Sequence, residues 1–232
     1  ILMICSNYDA FILEEDGQIE SQIYNEYIEL NLSNPPKFVW VTTSEQARNI
    51  LDASNDIDMG ISMYNMADKD VFSLASGLKA QGRNIPFVLL THFSKEVYRR
   101  LSYQDTSGID YMFSWHGNTD LIVAIIKLFE DKINADHDIL KVGVQAILLV
   151  EDSVRYYSTY LPELYKLILK QSAEFLKETL NEQQQKGRKR SRPKILLTSC
   201  LDEALEIYNK YKSNLLGVIS DVGFIRHKDD LP

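Results

Sequence analysis

The chain has 232 residues, 45% hydrophobic and 25% charged, an ordinary globular make-up with room for one or two domains. Its net charge of −8 argues against broad nucleic-acid binding. No apolar run reaches the length of a membrane span, and the first residues do not read as a signal peptide.

Residues 1–5 are apolar and read as a strand already under way, so further residues upstream are expected. Residues 18–31 place Ile19, Ile23, Tyr27 and Leu30 at helical spacing after an Asp16-Gly17 turn. Residues 38–42 read as a strand, and Ser44 as the cap of a helix running to about Ala53. A strand over 59–63, a helix over 70–80 and a strand over 85–91 follow. Ser94 opens a helix to about 103, 109–114 is a fifth strand, and 119–133 a further helix. This alternation predicts an α/β doubly wound parallel sheet. Asp68 and Asp70 lie in a polar loop and read as turn former and helix cap, not as metal ligands.

A short connection without a Gly/Ser- or Pro-rich spacer leads to Ala146-Ile147-Leu148-Leu149-Val150, a strand buried on both faces. It ends on Glu151-Asp152-Ser153. Adjacent carboxylates at a strand mouth repel, and a hard cation is the usual way to hold both ionised. Residues 157–185 follow helical spacing through Leu161, Leu164, Tyr165, Ile168, Phe175, Leu176 and Leu180, with Pro162 expected to kink the helix or mark its first turn. It is longer than one βα unit needs: either an elongated helix or a docking helix for a partner. The basic run 186–192 reads as a solvated loop. A strand over 193–198, a helix carrying Ala204 and a strand over 215–220 follow, the last ending in Asp221. If that strand neighbours 146–150 in parallel, Glu151, Asp152 and Asp221 converge on an oxygen-lined pocket suited to Mg²⁺. The four histidines share no metal-site spacing, and Cys5 and Cys200 read as free buried thiols of a reducing cytoplasm.

The sequence repeats itself. Residues 1–8 align without a gap on 147–154, 36–41 on 193–198, and 61–63 on 219–221, with Ala47 and Ala204 in register. The expected division is a first domain over 1–138, a linker over 139–145 and a second domain over 146–232. In the first copy Cys5 and Ser6 replace the acid pair, and Met63 replaces Asp221. The second copy reaches only its third strand by Pro232, which leaves an apolar strand edge. Residues beyond Pro232, the first copy or another chain would cover it; a homodimer through that edge and the 161–180 helix is the favoured expectation.

Ile147-Leu148-Leu149-Val150-Glu151-Asp152-Ser153, followed by Gly217-Val218-Ile219-Ser220-Asp221, resembles the response-regulator receiver (CheY-like) family. The resemblance implies a flavodoxin-like fold in both copies and two-component phosphorelay signalling in a bacterial cytoplasm. It also implies Mg²⁺ held by Glu151, Asp152, Asp221 and the backbone carbonyl of Gly223. Asp221 would accept a phosphoryl group from a sensor histidine kinase or phosphotransfer protein, so the chain would be a regulator and not an enzyme. The first copy resembles a pseudo-receiver: Cys5, Ser6 and Met63 carry no function, Thr91 keeps a hydroxyl position, and Trp115-His116 stand where Lys-Pro is usual. Residues 8–17 and the Gly143-Val144-Gln145 lead-in are similar to the N-terminal region of bacterial phosphoenolpyruvate synthase/pyruvate phosphate dikinase-like proteins. Two other readings remain open. One is a HAD-like Mg²⁺ hydrolase with Asp221 as nucleophile, although Gly223 stands where such enzymes usually place a second acid. The other is a silent scaffold regulating an attached phosphoenolpyruvate- or pyruvate-binding domain.

Overall fold

The structure, a computed structural model, describes residues 1–15, 19–29, 32, 34–64, 70–92, 97, 99, 101, 103–177 and 192–227. Asp16-Gly17, Leu30, Asp68, Ser94, Leu180 and residues 186–191 of the basic run lie outside them. Among the described residues no helix is long and apolar enough to cross a membrane. The chain divides into two compact units, Ile1–Thr119 and Asp120–Pro232.

The first unit is an α/β layer structure around a five-stranded parallel sheet. Its strands are β1 (Leu2–Ile4), β2 (Val39–Val41), β3 (Gly60–Met63), β4 (Phe87–Thr91) and β5 (Tyr111–Ser114). They lie in the order β2-β1-β3-β4-β5, every pair parallel, which is the order of flavodoxin-like sheets. The inner strands β1, β3 and β4 are buried throughout, which is why they read as continuous apolar runs. Gly60 pairs with Phe87, and a Cβ at Gly60 would sit 2.5 Å from the Phe87 ring. Only glycine lets that ring lie across β3.

Four helices are described in this unit: α1 (Asn7–Glu15), α2 (Ile19–Glu29), α3 (Ser44–Ala53) and α4 (Asp70–Ala80). Leu51 of α3 and Val71, Leu74 and Leu78 of α4 join Leu2, Ile4, Phe87 and Leu89 in one core. The helix expected over 18–31 is α2, with Ile19, Ile23 and Tyr27 buried as its spacing requires. Helix α1 was not expected. Ser6 starts it, accepting from the Asp9 amide at 3.1 Å and donating to the Asp9 carboxylate at 2.6 Å. The cap of α3 is Thr43, not Ser44: the Thr43 hydroxyl accepts from Gln46 N at 3.2 Å, while Ser44 is buried.

The second unit has a three-stranded parallel sheet, β7-β6-β8, from β6 (Ala146–Val150), β7 (Lys194–Thr198) and β8 (Leu215–Ser220). Its helices are α5 (Thr119–Ala135), α6 (Val154–Lys177) and α7 (Leu201–Tyr211). Helix α5, expected to close the first domain, groups with the second unit from Asp120 onward. The expected linker over 139–145 begins inside a π-helical turn, Asp136–Lys141, that prolongs α5 and buries Ile139. Helix α6 starts three residues earlier than expected. Pro162 lies inside it, so it does not mark the first turn. The apolar stripe of α6 through Tyr157, Leu161, Tyr165, Ile168 and Leu169 is buried within the chain. Strand β8 is an edge among the described residues, and its Leu216, Val218 and Ile219 are exposed.

One carboxylate explains where α5 belongs. Asp131 of α5 is 0% exposed. It accepts from Arg192 through both oxygens at 2.7 and 2.9 Å, from the Tyr165 hydroxyl at 2.9 Å and from the Ile195 amide at 3.0 Å. Lys194 Nζ lies 3.5 Å from Asp131 and 2.8 Å from Asp138. Arg192, read from sequence as part of a solvated basic loop, is therefore buried: a charge inside a protein persists only when paired and hydrogen-bonded. Burial, the largest single influence, lowers its pKa, but the charge and hydrogen bonds of Asp131, with Tyr165 and Glu130 adding to them, together raise it. Burial first, and Asp131 next, push the Tyr165 phenol well above its ordinary value, so it stays a donor.

Strand pairing reproduces the sequence repeat. Leu2, Met3 and Ile4 face Val39, Trp40 and Val41 on one side and Gly60, Ile61 and Ser62 on the other. Leu148, Leu149 and Val150 face Leu196, Leu197 and Thr198, and Val218, Ile219 and Ser220. These are the partners the sequence alignment places opposite one another. The bond just past the central strand matches as well: Cys5 N donates to Val41 O at 3.1 Å, and Glu151 N to Thr198 O at 3.0 Å.

Replacing Asp131 by alanine strands two buried cations. Asp131→Ala is expected to cost about 3–5 kcal/mol in the urea transition of the second unit. The double change Asp131→Leu with Arg192→Met is expected to recover most of that loss, because it removes the Arg192 pair whole and leaves Lys194 on Asp138.

Candidate metal centre

Parallel strands end together, so residues just past their C-terminal ends share one mouth of the sheet. Strand β6 delivers Glu151 and Asp152 there. Its neighbour β8 delivers Asp221, whose amide donates to Val150 O at 3.1 Å. One carboxylate oxygen from each of the three lies within 4.8 Å of the others. The three acids predicted from the two strand ends are thus brought together. Gly223 follows in the exposed turn beyond β8.

The three carboxylates are held differently. Glu151 is buried, at 4% exposed, and accepts one amide, that of Ser153, at 3.0 Å. Asp152 is half-buried and accepts from the Ile225 amide at 3.1 Å. Asp221 is exposed and accepts from the next amide, Val222, at 2.6 Å. No side-chain cation reaches any of them among the hydrogen bonds and ion pairs of the described residues. Burial raises the Glu151 pKa; the Ser153 amide opposes this, while the charges of Asp221 and Asp152 add to it. All three ligands are hard oxygens with unspent lone pairs, a donor set that fits a small divalent cation such as Mg²⁺. Bound there, the ion would neutralise like charges that no side-chain cation pairs among the described residues.

Among the described residues the corresponding mouth of the first unit has no such set. Cys5 is buried, Met63 ends β3 as a nearly buried thioether, and the Ser6 hydroxyl is occupied in capping α1. Thr91 ends β4 with its hydroxyl buried and without a hydrogen-bond partner among the described residues. Trp115 is buried, and His116 Nε2 lies 3.0 Å from the Ser114 hydroxyl. Asp70 is the first residue of α4, where the sequence placed a cap, and Cys200 is a buried free thiol like Cys5.

No family model matches the chain, and neither curated proteins nor solved structures give a match.

The raised Glu151 pKa fixes a pH dependence. The folded chain holds this proton more tightly than the unfolded one, so stability falls as pH rises from the ordinary carboxylate range through the raised value. Glu151→Gln removes the ionisation and is expected to raise Tm at neutral pH in metal-free buffer. That gain should narrow as pH falls below the ordinary glutamate value. Added Mg²⁺ should raise the Tm of the parent chain and leave that of Glu151→Gln nearly unchanged; thermal scans at several pH values check both.

Proposed function

We propose that the chain is a phosphorelay module in which the second unit is a receiver that takes a phosphoryl group on Asp221. The observation that carries this reading is the convergence of three carboxylates from the ends of two adjacent parallel strands. The matching registers of the two sheets support a tandem of one fold. In that tandem the first unit is a pseudo-receiver, because Cys5, Ser6 and Met63 offer no carboxylate. Glu151, Asp152 and Asp221, with the Gly223 carbonyl, would hold Mg²⁺, which supplies charge neutralisation for a transferring phosphoryl group.

The remaining chemistry belongs to the chain. Asp221 is the exposed member of the trio and can meet a donor from solvent. A carboxylate oxygen of Asp221 attacks the phosphorus of a phosphohistidine. The new P–O bond forms as the P–N bond breaks; the imidazole keeps the electron pair and takes a proton from water. Glu151 is buried and would serve only as a ligand of the ion. The donor class is a histidine kinase or phosphotransfer protein. A HAD-like hydrolase is disfavoured because Gly223, not an acid, stands two residues beyond the nucleophile.

Incubation with acetyl phosphate and Mg²⁺, followed by intact-mass measurement, tests the reading. The expected product is one hydroxylamine-labile phosphoryl group per chain, absent from Asp221→Asn and reduced at least tenfold in Asp152→Asn. Sustained turnover of acetyl phosphate would favour a hydrolase, and no reaction would favour a silent scaffold. Phosphate retained on Asp221→Asn would mean the nucleophile lies elsewhere.

A further inference from the structure

The first turn of an α-helix has amides with no acceptor inside the helix, and a side-chain cap usually takes one of them. In α3 that cap is Thr43. The position that matches it ahead of α7 is Cys200, whose side chain makes no capping bond. Acceptors come instead from far along the chain. Leu201 N donates to Ile225 O at 3.1 Å, and Asp202 N to Arg226 O at 3.2 Å. His227 Nδ1 meets the Asp202 carboxylate, and Phe224 packs against the core that contains Leu148, Leu196 and Ala204.

These bonds trace a path. Residues 222–227 leave the end of β8, pass the end of β6 and finish on the start of α7, which follows β7. They form a strap across the mouth that holds the acid trio. At mid-crossing the strap is fastened to the trio itself, since the Ile225 amide donates to Asp152 Oδ2 at 3.1 Å. Ile225 thus has its amide on the acid site and its carbonyl on α7.

We propose that Asp152 is the latch of this strap, so that seating of residues 222–227 on α7 and occupancy of the acid site are one coupled equilibrium. The coupling to occupancy rests on the cation site proposed above; the latch itself rests on the hydrogen bonds alone. An ion held by the other oxygens of the trio fixes the Asp152 carboxylate in place, which strengthens its bond to the Ile225 amide. Coupling is reciprocal, so a seated strap must tighten the ion in the same proportion. Release of Asp152 leaves α7 without its substitute cap. A change at the acid site would in this way reach a helix that, among the described residues, makes no hydrogen bond to the three carboxylates.

Amide hydrogen exchange on the full chain, read at Leu201, Asp202 and Ile225 by NMR, tests the latch. Asp152→Ala and Ile225→Pro remove the acceptor and the donor of the same bond by unrelated changes. Each is expected to speed exchange at Leu201 and Asp202 at least tenfold while β6 and β7 amides keep their protection. Unchanged exchange at both positions in Asp152→Ala would overturn the latch, whatever Ile225→Pro does to local folding. For the coupling, Mg²⁺ is expected to slow exchange at Leu201 and Asp202 several-fold in the parent chain, and Ile225→Pro to weaken Mn²⁺ binding about fivefold. Mn²⁺ binding with no change in exchange would overturn the coupling and leave the cation site standing. Absence of Mn²⁺ binding would overturn both the cation site and the coupling, while the two variants still judge the latch.

Discussion

The second unit depends on a single buried carboxylate. Asp131 gathers a guanidinium, a phenol and a backbone amide within hydrogen-bonding distance, with an ammonium close by. These donors come from α6, from the start of β7 and from a position two residues before it, so the bonds fasten one helix to another and both to the sheet. Taking such charges out of water costs several kcal/mol per ion, offset only when geometry is good and every lone pair is used. The bidentate Arg192 contact and the Tyr165 and Ile195 bonds meet that condition. With β7 fixed in place, the register of β6 beside it is fixed, and the acid pair emerges at a defined height.

Asp131 and Glu151 make an instructive pair, since both are buried carboxylates in one unit. Asp131 is surrounded by positive and donating groups. Glu151 has one amide partner and two like-charged neighbours, and its pKa is raised. A fold that can build a full set of partners for one acid has left the other short of positive charge. The difference is local and electrostatic, and it separates an acid whose oxygens are spent on architecture from one whose oxygens are largely unspent.

Much of this was legible in the sequence because strands buried on both faces write themselves as apolar runs. Ala146–Val150 and Leu215–Ser220 have the bounds their residues suggest, and Glu151, Asp152 and Asp221 follow from being acids at strand ends. The registers follow from the repeat. Other features were hidden for identifiable reasons. Helix α1 lacks a clear apolar face, and its start is set by a bond between Ser6 and Asp9. Thr43 and Ser44 are adjacent hydroxyls, and only backbone geometry tells cap from first helical residue. Arg192 read as solvated because its partner lies 61 positions away, a distance no local pattern spans. Its one trace was an acid in a helix that is apolar from Leu121 to Ile126. The Ile225 bond to Asp152 is a backbone donation across 73 positions and carries no residue signature at all.

Strand β8 has a consequence for how the protein behaves as a material. Along its outer side the amides and carbonyls face away from β6, and the segment Leu215-Leu216-Gly217-Val218-Ile219-Ser220 contains neither a charge nor a proline. Natural sheet edges are commonly blunted by lysine, proline or an inward-pointing charge, and this one carries none of them. The one irregularity is a register shift at its start, where Leu216 falls between the residues paired with Ala146 and Ile147. What remains, among the described residues, is an unpaired apolar edge able to pair with an extended segment. Self-association of the isolated chain would therefore run through these six residues at one margin, which the −8 charge spread over the whole does not reach.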